Sequence, residues 1–325
     1  MKIAAYMSNI NRYSGGRYYF WSLMYALKQI GHDVTVYTDK PAGFLTNNFR
    51  GRPAPKVKVG HENVKADLYM GMPVEANKTA ANLAVQHGGK ALCCLFDTLP
   101  GLERAKIKKH GLPASMPFLQ GPNVWIVSLA EANVKDICSW CRVKPDRVKV
   151  IYPGVNDPAL QLDKKRPREN KVAFISRMVK HKNLSHLADI LGPFGIGLSV
   201  ISSDRDDILE NRGVKNVTWH IRADDYTKFK VLRQARCVCV PSAHEGFGMW
   251  AIEAWASGTP VVCYDLPTVR EVDKGNTYFA KLGDRWELQR RLLKCLEDDK
   301  KVEPDKRFYF GRLMDRLREV LKEIA

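Results

Sequence analysis

Short apolar runs alternate with amphipathic stretches along the whole chain. KIAAYM (2–7) is a short apolar run and a strand candidate. In RYYFWSLMYALKQIGHDVTVYT (17–38), Tyr19, Leu23, Ala26, Leu27 and Ile30 recur at helical spacing, Gly31 stops the helix, and DVTVYT resumes as a strand. This predicts one β-α-β unit. ADLYMG (66–71), KALCCLF (90–96) and NVWIVSL (123–129) predict further strands, separated by helical or loop segments. Repeated alternation of this kind predicts a parallel sheet covered by helices on both faces.

A second series follows YPGVNDPALQLDKKRPREN (152–170), whose prolines, glycine and charges make it the best linker candidate. KVAFIS (171–176), GLSVIS (197–202), NVTWHI (216–221), CVCVPS (237–242) and TPVVCY (259–264) read as strands, with helix-like LSHLADIL and DYTKFKVLRQA between them. The fold class is therefore α/β, in two tandem domains. The last segment, FGRLMDRLREVLKEIA, carries Leu313, Leu317, Val320, Leu321 and Ile324 as the stripe of an amphipathic helix. Periodicity leaves open which domain it covers.

Composition agrees. At 325 residues the chain has room for two cores, and 45% apolar with 27% charged residues is the balance of a globular protein. The start, MKIAAYMSNINRYSGG, lacks the apolar core of a signal peptide, and no apolar run is long enough for a bilayer span, so a cytoplasmic location is expected. Eight cysteines in such a chain read as reduced thiols. Only Cys138 and Cys141, in CSWC, have the spacing of a metal or redox pair; with no second pair beside them they read as structural thiols on a helix.

The 52 Lys and Arg against 35 Asp and Glu leave +17, which favours polyanionic or membrane-surface partners. The charge is spread through the chain, with concentrations at KIKKH (106–110), KKRPR (164–168), RRLLK (290–294) and the last forty residues; each by itself is also what a solvated surface looks like.

Candidate chemistry lies where strands end, because open α/β sheets bind ligands beyond the carboxyl ends of their strands. After the first strand, Gly15 and Gly16 allow close backbone approach at a helix start, or simply make a turn. After KVAFIS, the segment RMVKHKN delivers Arg177, Lys180, His181 and Lys182, of which Arg177 and Lys182 suit a diphosphate. After CVCVPS, SAHEGFGMWAIEAW places Glu245 ahead of Gly246-Phe247-Gly248 and a helix N-terminus, with Glu253 on the helix. That arrangement suits an anion between two acids that accept from hydroxyls; alternatively Glu245 caps the helix and Glu253 faces solvent. YPGVND (152–157) reads as a hinge turn, and Asp97 in FDTLPG either contacts a hydroxyl or starts a turn.

At these residues the chain resembles the retaining glycosyltransferases of family 4. PSAHEGFGMWAIEAWASGTPVV looks like that family's E-x7-E segment, FISRMVKHKNL is similar to its strand-end Arg and Lys, and RVKVIYPGVND looks like its interdomain turn. The N-terminal unit with its Gly-Gly loop follows the same order. The resemblance implies a GT-B fold, two Rossmann-like domains facing across a cleft. It implies an acceptor-side domain over 1–157, joined by a returning helix at 306–325, and a nucleotide-sugar domain over 158–305. It further implies that Arg177 and Lys182 hold the donor diphosphate and that Glu253 holds the ribose. Glu245 with the amides of Gly246, Phe247 and Gly248 would lie along the donor sugar, and Gly15 and Gly16 would approach from the other domain. Members often carry His-Asp where this chain has Phe96-Asp97, so Asp97, and His87 as a substitute, are candidate sugar or acceptor contacts.

The implied activity is transfer of a glycosyl group, a hexosyl group first, from a nucleotide diphosphate sugar to a hydroxyl acceptor with retained configuration. No metal and no further cofactor is expected. The acceptor would be a glycan or glycolipid, with peripheral docking on anionic lipid. The alternatives are glycosylation of hydroxymethylated bases in DNA, and a non-catalytic module that binds nucleotide sugars or nucleic acid.

Overall fold

The structure, a computed structural model, describes residues 1–8, 14–41, 49, 51–60, 62–107, 112–156, 168–207, 209, 212–298, 300, 302 and 305–325. The 157/158 domain boundary, most of the linker, and much of the basic runs at 106–110 and 164–168 lie outside the described residues. Two compact units are present: residues 1–154 with 310–325, and residues 155–309.

The first unit holds β1 (Lys2–Met7), α1 (Gly15–Gln29), β2 (Asp33–Thr38), β3 (Lys56–Val59), β4 (Leu68–Met72), α2 (Val74–His87), β5 (Lys90–Cys94), α3 (Leu99–Arg104), β6 (Val124–Ser128), α4 (Val134–Cys141) and β7 (Val148–Val150). Its sheet is parallel throughout, in the order β3-β2-β1-β4-β5-β6-β7. β1 and β4 sit at its centre and are almost wholly buried, which is why their sequences are continuous apolar runs. The edge strand β3 reads KVKV and all four residues are exposed. Its alternation is only four residues long and Val57 and Val59 stay exposed, while its lysines protect an edge from pairing with another chain.

The second unit holds β8 (Lys171–Ile175), α5 (Leu184–Leu191), β9 (Gly197–Ser202), β10 (Val217–Ile221), α6 (Asp225–Gln234), β11 (Cys237–Cys239), α7 (Met249–Ala256), β12 (Val261–Tyr264), α8 (Pro267–Arg270), β13 (Thr277–Ala280) and α9 (Arg285–Asp298). Its order is β10-β9-β8-β11-β12-β13, again all parallel. The order runs outward in both directions from the β8/β11 pair. That pair is the switch point of the strand order, and the carboxyl edge at such a point is where open α/β sheets bind ligands.

The final helix, α10 (Phe310–Glu323), belongs to the first unit. Its stripe of Leu313, Leu317, Val320 and Leu321 is buried, and the helix packs against α1. Polar ties fix its register: Lys149 Nζ lies 2.8 Å from Glu323 Oε2, and Arg316 donates to the Tyr152 carbonyl at 3.2 Å while stacking on its ring. Where the chain enters and leaves the second unit, Val155 and Tyr309 form a parallel bridge.

All eight cysteines are free thiols. Cys138 and Cys141 sit one turn apart on α4, and burial, followed by the neighbouring Cys138, pushes the Cys141 thiol up to about 12. Such a thiol does not ionise at neutral pH. No helix among the described residues is long and apolar enough to cross a membrane.

Candidate functional site

In the second unit, the loop after β8 makes a 3-10 turn at Lys180–Lys182 and ends on Asn183 in the left-handed region (φ 52°). Two hydrogen bonds tie this loop to the one after β11. The Ala243 amide donates to the His181 carbonyl at 2.8 Å, and Asn183 Nδ2 donates to the Pro241 carbonyl at 2.9 Å. The consequence is that Lys182 lies against Glu245, Nζ to Oε1 at 2.8 Å. The same Oε1 accepts from Ser242 Oγ at 2.7 Å and from Trp250 Nε1 at 2.8 Å.

Glu245 therefore does not cap the helix; it is a carboxylate with three donors on one oxygen. Burial alone would push its carboxyl up. The Lys182 charge and the bonds from Lys182, Ser242 and Trp250 outweigh that and hold it below the usual glutamate value. Lys182 is itself buried, so its ammonium is held in place rather than waving in solvent. A carboxylate beside an anion site was expected to need neutral donors; here a cation joins two neutral ones.

The turn that follows is shaped by Gly248, whose φ of +93° admits glycine readily and whose added Cβ would stand 2.8 Å from Val269 Cγ2. Gly248 is the N-cap of α7, so no side chain caps that end. Amides at the helix start lack intrahelical acceptors, which makes this end attractive to an anion. Gly246 and Phe247 complete the turn; the Phe247 ring is buried, edge-on to Phe308 at 6.1 Å. Arg177, at the end of β8, is partly exposed, and among the described residues its guanidinium has no hydrogen bond or ion pair.

Glu253 does not face solvent. It is 6% exposed and its Oε1 accepts from Lys228 Nζ at 2.7 Å. Lys228 also pairs with Asp225 at 2.8 Å, and Asp225 accepts from Asn156 Nδ2 at 2.7 Å. Burial raises the Glu253 carboxyl above its usual value; Lys228 opposes the shift and Asp225 adds to it.

In the first unit, Gly15 and Gly16 open α1 at the carboxyl edge of β1, behind the N-cap Ser14, whose hydroxyl accepts from the Arg17 amide. A Cβ on Gly16 would meet the Phe96 ring at 3.0 Å, and that ring stands edge-on to Tyr19 at 5.1 Å. Asp97 follows, exposed, past the end of β5. His87 is the last residue of α2, just ahead of β5, where it meets Asn63 Oδ1 at 2.6 Å and stacks on Tyr69. It lies at the opposite edge of the sheet from Asp97, a whole strand of about 17 Å away, and cannot stand in for a group at position 96.

Sequence reasoning missed Ser242, Trp250 and Lys228. The first two lie within the acidic segment itself and could have been proposed as donors to Glu245. Lys228 gives no local sign, because its pairing depends on how α6 packs on α7.

A family model described as glycosyl transferases group 1 matches residues 169–298. Over 194 residues the chain is 25% identical to an MMP alpha-(1->4)-mannosyltransferase of Mycolicibacterium hassiacum, covering 51% of this chain and 47% of the relative. Over 253 residues it is 24% identical to the O-antigen chain mannosyltransferase RfbU of Salmonella typhimurium, covering 67% and 69% respectively. The chain thus spans about half the length of the first relative and about two thirds of the second. Its fold is that of GT-B glycosyltransferase structures: Anabaena Alr3699/HepE in complex with UDP-glucose superposes with a TM-score of 0.77 at 16% identity, covering 99% of both chains.

Proposed function

We propose that the protein is a retaining glycosyltransferase that moves a sugar, a hexose in the first instance, from a nucleoside diphosphate sugar to a hydroxyl acceptor. The observation that carries this reading is the Lys182–Glu245 pair at the strand-order reversal, with Arg177 and the N-terminus of α7 on the same carboxyl edge.

Cleavage of the bond between the sugar's anomeric carbon and the diphosphate builds negative charge on the leaving oxygen and positive charge on the sugar. Arg177, Lys182 and the α7 amides are the groups that would stabilise the first charge, and their orientation before reaction is what makes such stabilisation effective. Glu245, kept ionised, would accept from the sugar's hydroxyls and face the developing positive charge. The acceptor oxygen bonds to the anomeric carbon on the face the diphosphate leaves, and the acceptor's proton passes to a departing phosphate oxygen. No protein carboxylate has to act as the base.

The support for a nucleotide-sugar donor comes from the similarity to the group 1 model over the second unit and from the fold shared with HepE, which was solved with UDP-glucose. The test is a thermal-shift screen with uridine, guanosine and adenosine diphosphate sugars, followed by assay of donor turnover. Binding of one donor and a turnover that vanishes in Glu245→Ala and Lys182→Ala are expected. Binding without turnover would identify a non-catalytic module, and no binding by any donor would overturn the reading.

A further inference from the structure

A buried cluster of charged side chains links α6 and α7. Lys228, Asp225 and Glu253 are 4%, 4% and 6% exposed, and they bring one ammonium together with two carboxylates. Asp225 occupies the first position of α6, pairs with Lys228 through one oxygen and accepts from Asn156 Nδ2 through the other.

Lys228 grips Oε1 of Glu253, while among the described residues Oε2 of Glu253 accepts no hydrogen bond. That oxygen is open to a ligand or to water. A neutral donor suits this oxygen, since Lys228 already supplies a cation to the same carboxylate and an anion would be repelled. Two adjacent hydroxyls, as on a nucleoside's ribose, supply neutral donors of the right kind.

Resting on the proposed reading of Glu253 as a ribose contact, we infer that Lys228 is a positioning residue for the nucleoside's vicinal diol. It fixes one oxygen of Glu253, favours the carboxylate form and leaves the other oxygen for the diol; Asp225, braced by Asn156, holds Lys228 in turn. Among the described residues, the charged groups that face Glu253 are Lys228 and Asp225, both from α6. Burial and Asp225 both favour the neutral acid, and Lys228 is the group that opposes them.

The experiment measures the affinity of uridine, guanosine and adenosine diphosphates and of their 2′,3′-dideoxy counterparts, by calorimetry between about pH 5.5 and 8.5. In the native protein the tightest binder should lose about tenfold or more on removal of the diol. Lys228→Met should cut that ratio at least severalfold and make it fall more steeply towards low pH, because the group that opposes protonation of Glu253 is gone. Lys228→Arg should restore the ratio, and Asp225→Asn is a second probe should the Met variant fail to fold. A purely structural role would lower the melting temperature and weaken both nucleotides alike, and an unchanged diol ratio in folded Lys228→Met or Asp225→Asn overturns the inference. No diol ratio in the native protein, together with no effect of Glu253→Gln, overturns instead the reading of Glu253 on which the inference rests.

Discussion

Lys182 and Glu245 reach each other from two different strand ends, Nζ to Oε1 at 2.8 Å, with both side chains about nine-tenths buried. Removing one partner leaves the other charged and buried, which is the costly way to break such a pair. Lys182→Met is expected to destabilise the second unit by about 3 kcal/mol and to abolish donor turnover. Denaturant unfolding and a turnover assay check the two effects separately.

Arg177 offers the contrasting case. With no side-chain partner among the described residues, its removal should leave stability within about 0.5 kcal/mol of the native protein. If it binds a donor phosphate, Arg177→Ala should nevertheless weaken nucleoside diphosphate binding by about tenfold or more, since bonds between charged groups contribute about 1.5–3 kcal/mol. Loss of stability without loss of affinity would give it a structural role instead.

Acid should reveal Glu245. Its carboxyl is held below the ordinary value of 4.5, so the unfolded chain takes up this proton at a higher pH than the folded one. The stability it contributes is complete above the unfolded value and is lost as pH falls through the lower native value. Melting temperatures of the native protein and Glu245→Gln, compared between about pH 6 and 3, should converge as the pH falls. Parallel curves would contradict the pairing.

Gly248 should tolerate no side chain. Alanine there meets both an unfavourable positive φ and Val269 Cγ2 at 2.8 Å. Gly248→Ala is expected to cost about 2 kcal/mol and to lower donor affinity by displacing the start of α7. Val269→Ala in the same chain should recover part of the stability by removing the clash, which a double-mutant cycle would read.

The thiols should be slow. Burial raises both thiols of the CSWC pair, and Cys138, the one cysteine that is not fully buried, should react first with a thiol reagent at neutral pH. The others should react only on unfolding. Rapid modification of a second cysteine in the folded protein would show that α4 opens.

Much of the architecture was legible because central parallel strands are apolar on both faces; β1, β5, β8, β9 and β12 each lie within a run such as KIAAYM or TPVVCY. The strands that escaped notice lie at or near sheet edges: β3 is fully exposed, β7 is three residues long, and β13 is only half-buried over most of its length. Half a buried face gives half a signal. Glu245, Lys182 and Arg177 stood out because they follow strand ends, a rule of chain connection rather than of packing. The partners were harder. The Lys228–Glu253 contact is made by two helices lying side by side, and nothing in either segment states that they touch. His87 shows the reverse error, since closeness in sequence to Phe96 conceals a strand between them that carries the chain across the sheet.

Because α10 is part of the first unit and comes after all of the second, the order of synthesis and the order of completion differ. As the polypeptide leaves the ribosome, the amino-terminal unit must wait with the surface of α1 uncovered until residues 310–323 emerge. The carboxyl-side unit, contiguous in sequence, is the first that can finish folding.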